Sequence, residues 1–190
     1  GSSIAGWKSI NESDMILKPD LSTLRLDPFA ALPTATVFCD VYEPATGKPY
    51  TRDPRSIAKA AEAHMLATKT ADKAFFGPEA EFFVFDDVRF RVSMEEVAFK
   101  VDSREGPHNS DRDYPDGNRG HRPGVKGGYF PVAPVDSGQD MRSEMLATMK
   151  AMGLAVEKHH HEVASSQHEL GLKYDTLVNC ADAMQLYKYV

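Results

Sequence analysis

Two stretches concentrate side chains able to do chemistry. The first, Gly77-Pro78-Glu79-Ala80-Glu81-Phe82-Phe83-Val84-Phe85, sets two glutamates two residues apart in an aromatic, apolar run. If the run is a strand, alternate side chains share a face, and Glu79 and Glu81 point the same way about 6.5–7 Å apart. One face of so apolar a strand is expected to be buried. Two carboxylates there repel each other and suffer desolvation unless a cation lies between them. Hard divalent cations such as Mg2+ or Mn2+ suit that oxygen-only arrangement. The other reading has both glutamates facing solvent on an edge strand, and the pattern alone leaves the two open.

The second stretch runs Glu157-Lys158-His159-His160-His161-Glu162, followed by His168-Glu169. As a strand it sends His160 and Glu162 to one face and Glu157, His159 and His161 to the other. No spacing here matches a zinc motif such as His-Glu-x-x-His. The ordinary role for such histidines is hydrogen bonding in a core. A third stretch, Gly120 to Gly128 with Arg122 and Lys126, is a cationic glycine-rich loop able to meet phosphate through backbone amides. Its glycine spacing is neither a Walker loop nor a dinucleotide fingerprint.

The elements that must carry these groups follow from periodicity. Residues 1–50 read as short strands and loops interrupted by prolines, with Val37, Cys39 and Val41 on one strand face. Asp53 as N-cap and Pro54 at the first helical position open a helix with Ile57, Ala61 and Met65 on its apolar side. Strands are expected at 73–76, 79–85, 88–92 and 97–101. Residues 106–138 hold 12 of the chain's glycines and prolines, which predicts a long irregular loop. Ser137-x-x-Asp140 resembles a capping box opening a second helix, whose Met141, Met145, Met149 and Met152 form a core stripe. Strands through 154–164 and 168–175 and a final helix from Thr176 complete the pattern. The absence of regular βαβ alternation predicts an α+β fold.

With 190 residues, the chain is long enough for a sizeable core, and its net charge of −6 argues against a generally basic nucleic-acid surface. No apolar run approaches the ~20 residues that span a bilayer. Two cysteines, Cys39 and Cys180, are too few for a disulfide scaffold and fit reduced thiols in the cytoplasm.

Six blocks together resemble bacterial type I glutamine synthetase. They are Gly1 to Trp7, Asn11 to Met15, Arg52 to Arg55, Gly77 to Phe83, Lys126 to Pro131 and His159 to Ala164, in the family's order. The resemblance implies an antiparallel-rich catalytic sheet with helices (residues 51–190), preceded by the end of a small β-grasp-like N-terminal domain (residues 1–50). It also implies ATP-dependent ligation of ammonia to L-glutamate through a γ-glutamyl phosphate, in the cytoplasm, with no nucleic-acid or membrane partner.

Carried over by motif, Glu81, Glu162 and Glu169 would hold the divalent metal facing glutamate, and Glu79 would contribute to a second Mg2+ or Mn2+ facing the ATP phosphates. Glu157 would contact the nucleotide, and the backbone near Tyr174 would line the adenine pocket. Tyr129, Glu162 and Ser3 would border the ammonium site, with Asp14 and Trp7 supplied across a subunit interface. Identical subunits in a double-ring dodecamer are implied by the resemblance. The family's catalytic aspartate falls just before Gly1, and further ligands and substrate-binding arginines fall after Val190. An inactive internal piece is therefore expected. Alternatives are a relative that ligates another amine to glutamate and a non-catalytic structural relative.

Overall fold

The computed structural model describes residues 6–10, 13–107, 113–115, 117 and 120–190. The chain divides into two compact units: Gly1–Pro78 with Ala151–Leu154 and Tyr174–Val190, and Glu79–Lys150 with Ala155–Lys173. Every strand pairing among the described residues is antiparallel, and three helices accompany them, so the fold is α+β.

In the first unit β1 (Ile16–Pro19) pairs with β4 (Cys39–Tyr42), and β2 (Arg25–Leu26) with β3 (Ala35–Thr36). Val37, expected on one strand face with Cys39 and Val41, lies instead in the break between β3 and β4. Helix α1 (Pro54–Ala67) begins as its sequence dictates: Asp53 accepts from the Ser56 N–H, and Pro54 occupies a position where no N–H is needed. β5 (Phe75–Phe76) pairs with β11 (Asp175–Thr176), which leads directly into α3 (Leu177–Tyr189). One guanidinium ties these pieces together. Arg55 on α1 reaches Asp20 after β1 (2.6 Å), Asp40 on β4 (2.5 Å) and Asp182 on α3 (3.0 Å). Lys59, one turn further, also meets Asp40.

The second unit contains β6 (Glu81–Phe83), a hairpin of β7 (Asp87–Val92) and β8 (Val97–Asp102), helix α2 (Gln139–Ala151), β9 (Val156–His161) and β10 (Gln167–Leu172). β10 is the central strand of a three-stranded sheet in the order β6-β10-β9. The hairpin places Val88, Phe90 and Val92 opposite Val101, Phe99 and Val97, an apolar face that is largely exposed. Helix α2 does not open with a capping box. The Ser137 hydroxyl and N–H both donate to Glu105 at 2.8 Å, and Gly138 takes the entry position, its carbonyl accepting from the Arg142 N–H. Met149 and Met152 are buried, as the stripe predicts. Among the described residues no helix is long and apolar enough to cross a membrane, and Cys39 and Cys180 are both free thiols.

Candidate functional site

The three-stranded sheet sorts the candidate residues by face. Its register sets Glu81, Glu169 and His160 opposite one another in one row. Paired residues project to the same face, as do residues two apart along a strand. The next row is Phe83, Gln167 and Glu162, with the Glu162 N–H donating to the Gln167 carbonyl at 2.8 Å. One face therefore presents Glu81, Glu162, Glu169, His160 and Gln167. The other presents Phe82, His168, Leu170, His159 and His161.

On the carboxylate face, Glu162 and Glu169 are only 5% and 7% exposed. His160 stands between them, Nδ1 at 3.4 Å from Glu162 Oε1 and Nε2 at 3.6 Å from Glu169 Oε2. Each of the three offers a ligand atom within 4.8 Å of the others. Glu81 accepts from Gln167 Nε2 at 2.6 Å. The Tyr129 hydroxyl donates to Glu162 Oε2 at 3.1 Å, and the Val163 N–H donates to the same oxygen at 3.0 Å. Burial holds the Glu169 carboxyl above its ordinary pKa, reinforced by the charges of Glu162 and Glu79 against those of His160 and Lys158. The hydrogen bond to Glu162 raises the Tyr129 hydroxyl, because a neighbouring carboxylate favours the protonated phenol.

Among the described residues no lysine or arginine forms an ion pair with Glu81, Glu162 or Glu169. Two buried carboxylates and a third on the same face thus lack a strong protein cation. A divalent cation would suit such a set, whose donors are mostly carboxylate oxygens.

Gly128 explains why the glycine-rich loop precedes Tyr129. A Cβ at Gly128 would lie 2.0 Å from the Glu162 carbonyl oxygen and 2.7 Å from His161 Nδ1. Only a residue without a side chain lets the Gly128 N–H bond the Val163 carbonyl at 3.0 Å and bring Tyr129 onto Glu162.

Of the two readings left open for Glu79 and Glu81, the buried strand face does not form and the exposed one agrees with the structure. β6 begins at Glu81, and Glu79 precedes it in irregular backbone just after Pro78, which lacks the N–H a ladder requires. β6 is also an edge strand, and both glutamates are exposed. Their common feature is nearness to Glu169, Glu81 by register and Glu79 through its charge. Glu157 is exposed at the bulge where the β9 register shifts against β10. Asp14, exposed and outside any strand, belongs to the first unit, as does Tyr174, which is exposed and edge-on to Phe75 at 5.4 Å. Trp7, also in the first unit, packs on Tyr50 with ring centres 5.2 Å apart. Ser3 lies outside the described residues.

Beneath the sheet lies a buried network in which His159, His161 and His168 take the core hydrogen-bonding role expected of them, while Arg142, Asp136 and Glu105 carry no such expectation. Arg142 on α2, 2% exposed, forms a two-pronged pair with Asp136 (2.9 and 2.5 Å) and donates to Nδ1 of His168 (2.9 Å) and His159 (3.2 Å). Burial and then the Arg142 charge push His168 down to about 4, so its ring is neutral and accepts. Burial alone would raise Glu105, but hydrogen bonds from His161, Ser137 and Ser166 outweigh it and hold its carboxyl at about 2. Burial works against charge on His161, yet its bond to Glu105 prevails and raises it. Glu105, Asp136 and Arg142 carry no periodic signal, because they sit in or beside an irregular loop and meet partners up to 61 residues away.

The fold and this face define an α+β protein with a cation-seeking carboxylate surface. A family model described as the glutamine synthetase catalytic domain matches residues 51–190, and one described as the glutamine synthetase beta-Grasp domain matches residues 1–44. The chain is 68% identical over 190 residues to a glutamine synthetase of Azospirillum brasilense and 61% identical to one of Rhizobium meliloti, in each case over its whole length. A solved Plasmodium falciparum glutamine synthetase superposes with a TM-score of 0.87 at 29% identity, over 99% of this chain and 37% of that one. The chain belongs to the glutamine synthetase family. It spans 41% and 40% of the two bacterial relatives.

Proposed function

We propose that the protein ligates ammonia to L-glutamate at the expense of ATP: the side-chain carboxylate of glutamate is phosphorylated, and ammonia displaces the phosphate to give glutamine. The observation that carries this reading is the face bearing Glu81, Glu162, Glu169 and His160, with the Tyr129 hydroxyl on Glu162. Two Mg2+ or Mn2+ ions, when bound, screen the charge between anionic glutamate and the ATP phosphates. Glu81, Glu162 and Glu169 would hold the ion that faces glutamate, and Glu79 would contribute to the ion that faces ATP.

Glu162 and Tyr129, with Ser3, border the ammonium site in this reading. The Glu162 carboxylate attracts the cation, and the Tyr129 hydroxyl fixes one of its oxygens. Glu157 and the backbone near Tyr174 serve the nucleotide, and Asp14 and Trp7 act across a subunit boundary. The exposed apolar hairpin face, including Phe90 and Phe99, supports assembly of identical subunits, which the family resemblance extends to a double-ring dodecamer. A cytoplasmic location accompanies the reading.

The test is glutamine formation from glutamate, ammonium and MgATP by the full-length protein. Glu81→Ala and Glu162→Ala should each abolish it; near-normal rates in either variant refute the assignment.

A further inference from the structure

Glu105 lies just after β8, on the side of the sheet away from the carboxylate face, and is 3% exposed. Four hydrogen bonds converge on it. His161 Nε2 (2.7 Å) and the Ser166 N–H (2.9 Å) donate to Oε2, while the Ser137 N–H and hydroxyl (both 2.8 Å) donate to Oε1. Its partners are therefore the end of β9, the turn before β10 and the entry to α2.

Two of these contacts bear on the carboxylate face. His161 Nδ1 is 2.6 Å from the Glu162 carbonyl oxygen. A carbonyl and a carboxylate can only accept, so the ring donates at both nitrogens and links Glu105 to the backbone of Glu162. Ser166 has φ +64°, a left-handed conformation that non-glycine residues hold only when their surroundings impose it. The Glu105 bond to its N–H and the contact between the Ser103 and Ser166 hydroxyls impose it here. That turn joins Glu162, just after β9, to the strand bearing Glu169.

We propose that Glu105 is a positioning residue for divalent-cation binding: by clamping His161 and Ser166 it holds Glu162 and Glu169 at the spacing a shared ion requires. It touches no ligand of the ion and acts through the backbone of residues 161–167. The proposal rests on the reading of Glu162 and Glu169 as metal ligands.

The experiment measures Mn2+ dissociation constants of the full-length protein by electron paramagnetic resonance of free Mn2+, with thermal melting in parallel. Glu162→Gln identifies the site by removing it. At that site Glu105→Gln should weaken Mn2+ about tenfold, as loss of groups that orient ligands does. Glu105→Asp, which keeps the charge on a shorter arm, should fall between it and the wild type. A wild-type dissociation constant in Glu105→Gln, even with a lowered melting temperature, overturns the proposal and leaves the metal assignment standing. If Glu105→Gln does not fold, a wild-type constant in Glu105→Asp overturns it equally. Unchanged Mn2+ binding in Glu162→Gln overturns the metal reading and this proposal together.

Discussion

Replacing Glu169 by glutamine in the full-length protein should change stability in opposite directions with and without a divalent ion. The ligand atoms of Glu162 and Glu169 lie within 4.8 Å of each other. At that separation two unit charges repel by about 1 to 3.5 kcal/mol for effective dielectric constants between about 80 and 20. Glutamine removes this repulsion and gives up the 3.6 Å approach of His160 and the attraction of the Lys158 charge in exchange. The net gain without metal should be about 1–2 kcal/mol. The direction agrees with the raised Glu169 carboxyl: a group whose ionisation the fold disfavours leaves the fold less stable at neutral pH. With Mg2+ at about 100 times its dissociation constant, the wild type gains about 2.7 kcal/mol and the variant loses most of that gain. Melting in EDTA and in Mg2+ is the assay. The variant should melt higher than the wild type in EDTA and lower in Mg2+. A variant that melts lower in EDTA and keeps the full Mg2+-dependent rise refutes the reasoning.

Gly128→Ala should destabilise by about 1–3 kcal/mol, because its Cβ would be driven into the Glu162 carbonyl, and should weaken metal-dependent activity as Tyr129 is displaced; melting and turnover read the two effects. Arg142→Met leaves Asp136 buried and unpaired and should cost about 3–5 kcal/mol, measured by urea unfolding. Tyr129→Phe should raise the KM for ammonium several-fold with little change in melting, since the Tyr129 ring is 61% exposed and only its bond to Glu162 is lost. Glu105 contributes stability that is fully present above about pH 4.5 and is lost as pH falls toward 2. Acid titration of unfolding should therefore show a loss on the order of 3 kcal/mol that Glu105→Gln lacks.

Local chemistry made much of the fold legible in the sequence. Asp53-Pro54 announces α1, and alternating Val and Phe mark β7 and β8 to within one residue at each outer end. The alternation rule also sorted His160 and Glu162 from His159 and His161 before any pairing was known. It failed at Glu79, where a proline interrupts the regular backbone three residues before the strand begins. The clamp under the sheet was invisible for a different reason. Glu105 meets His161 and Ser166 across 56 and 61 residues, and no local pattern encodes contacts of that span. Ser137 misled because a serine before a helix has two ways to use its hydroxyl, and a buried Glu105 is the stronger acceptor for it.

The most direct measurement is anomalous scattering from crystals of the full-length protein grown with Mn2+. The account predicts a peak at coordination distance from carboxylate oxygens of Glu81, Glu162 and Glu169, on the face away from Arg142. A peak on the opposite face, among Glu105, Asp136 and His161, or no peak at the three glutamates at saturating Mn2+, would contradict it.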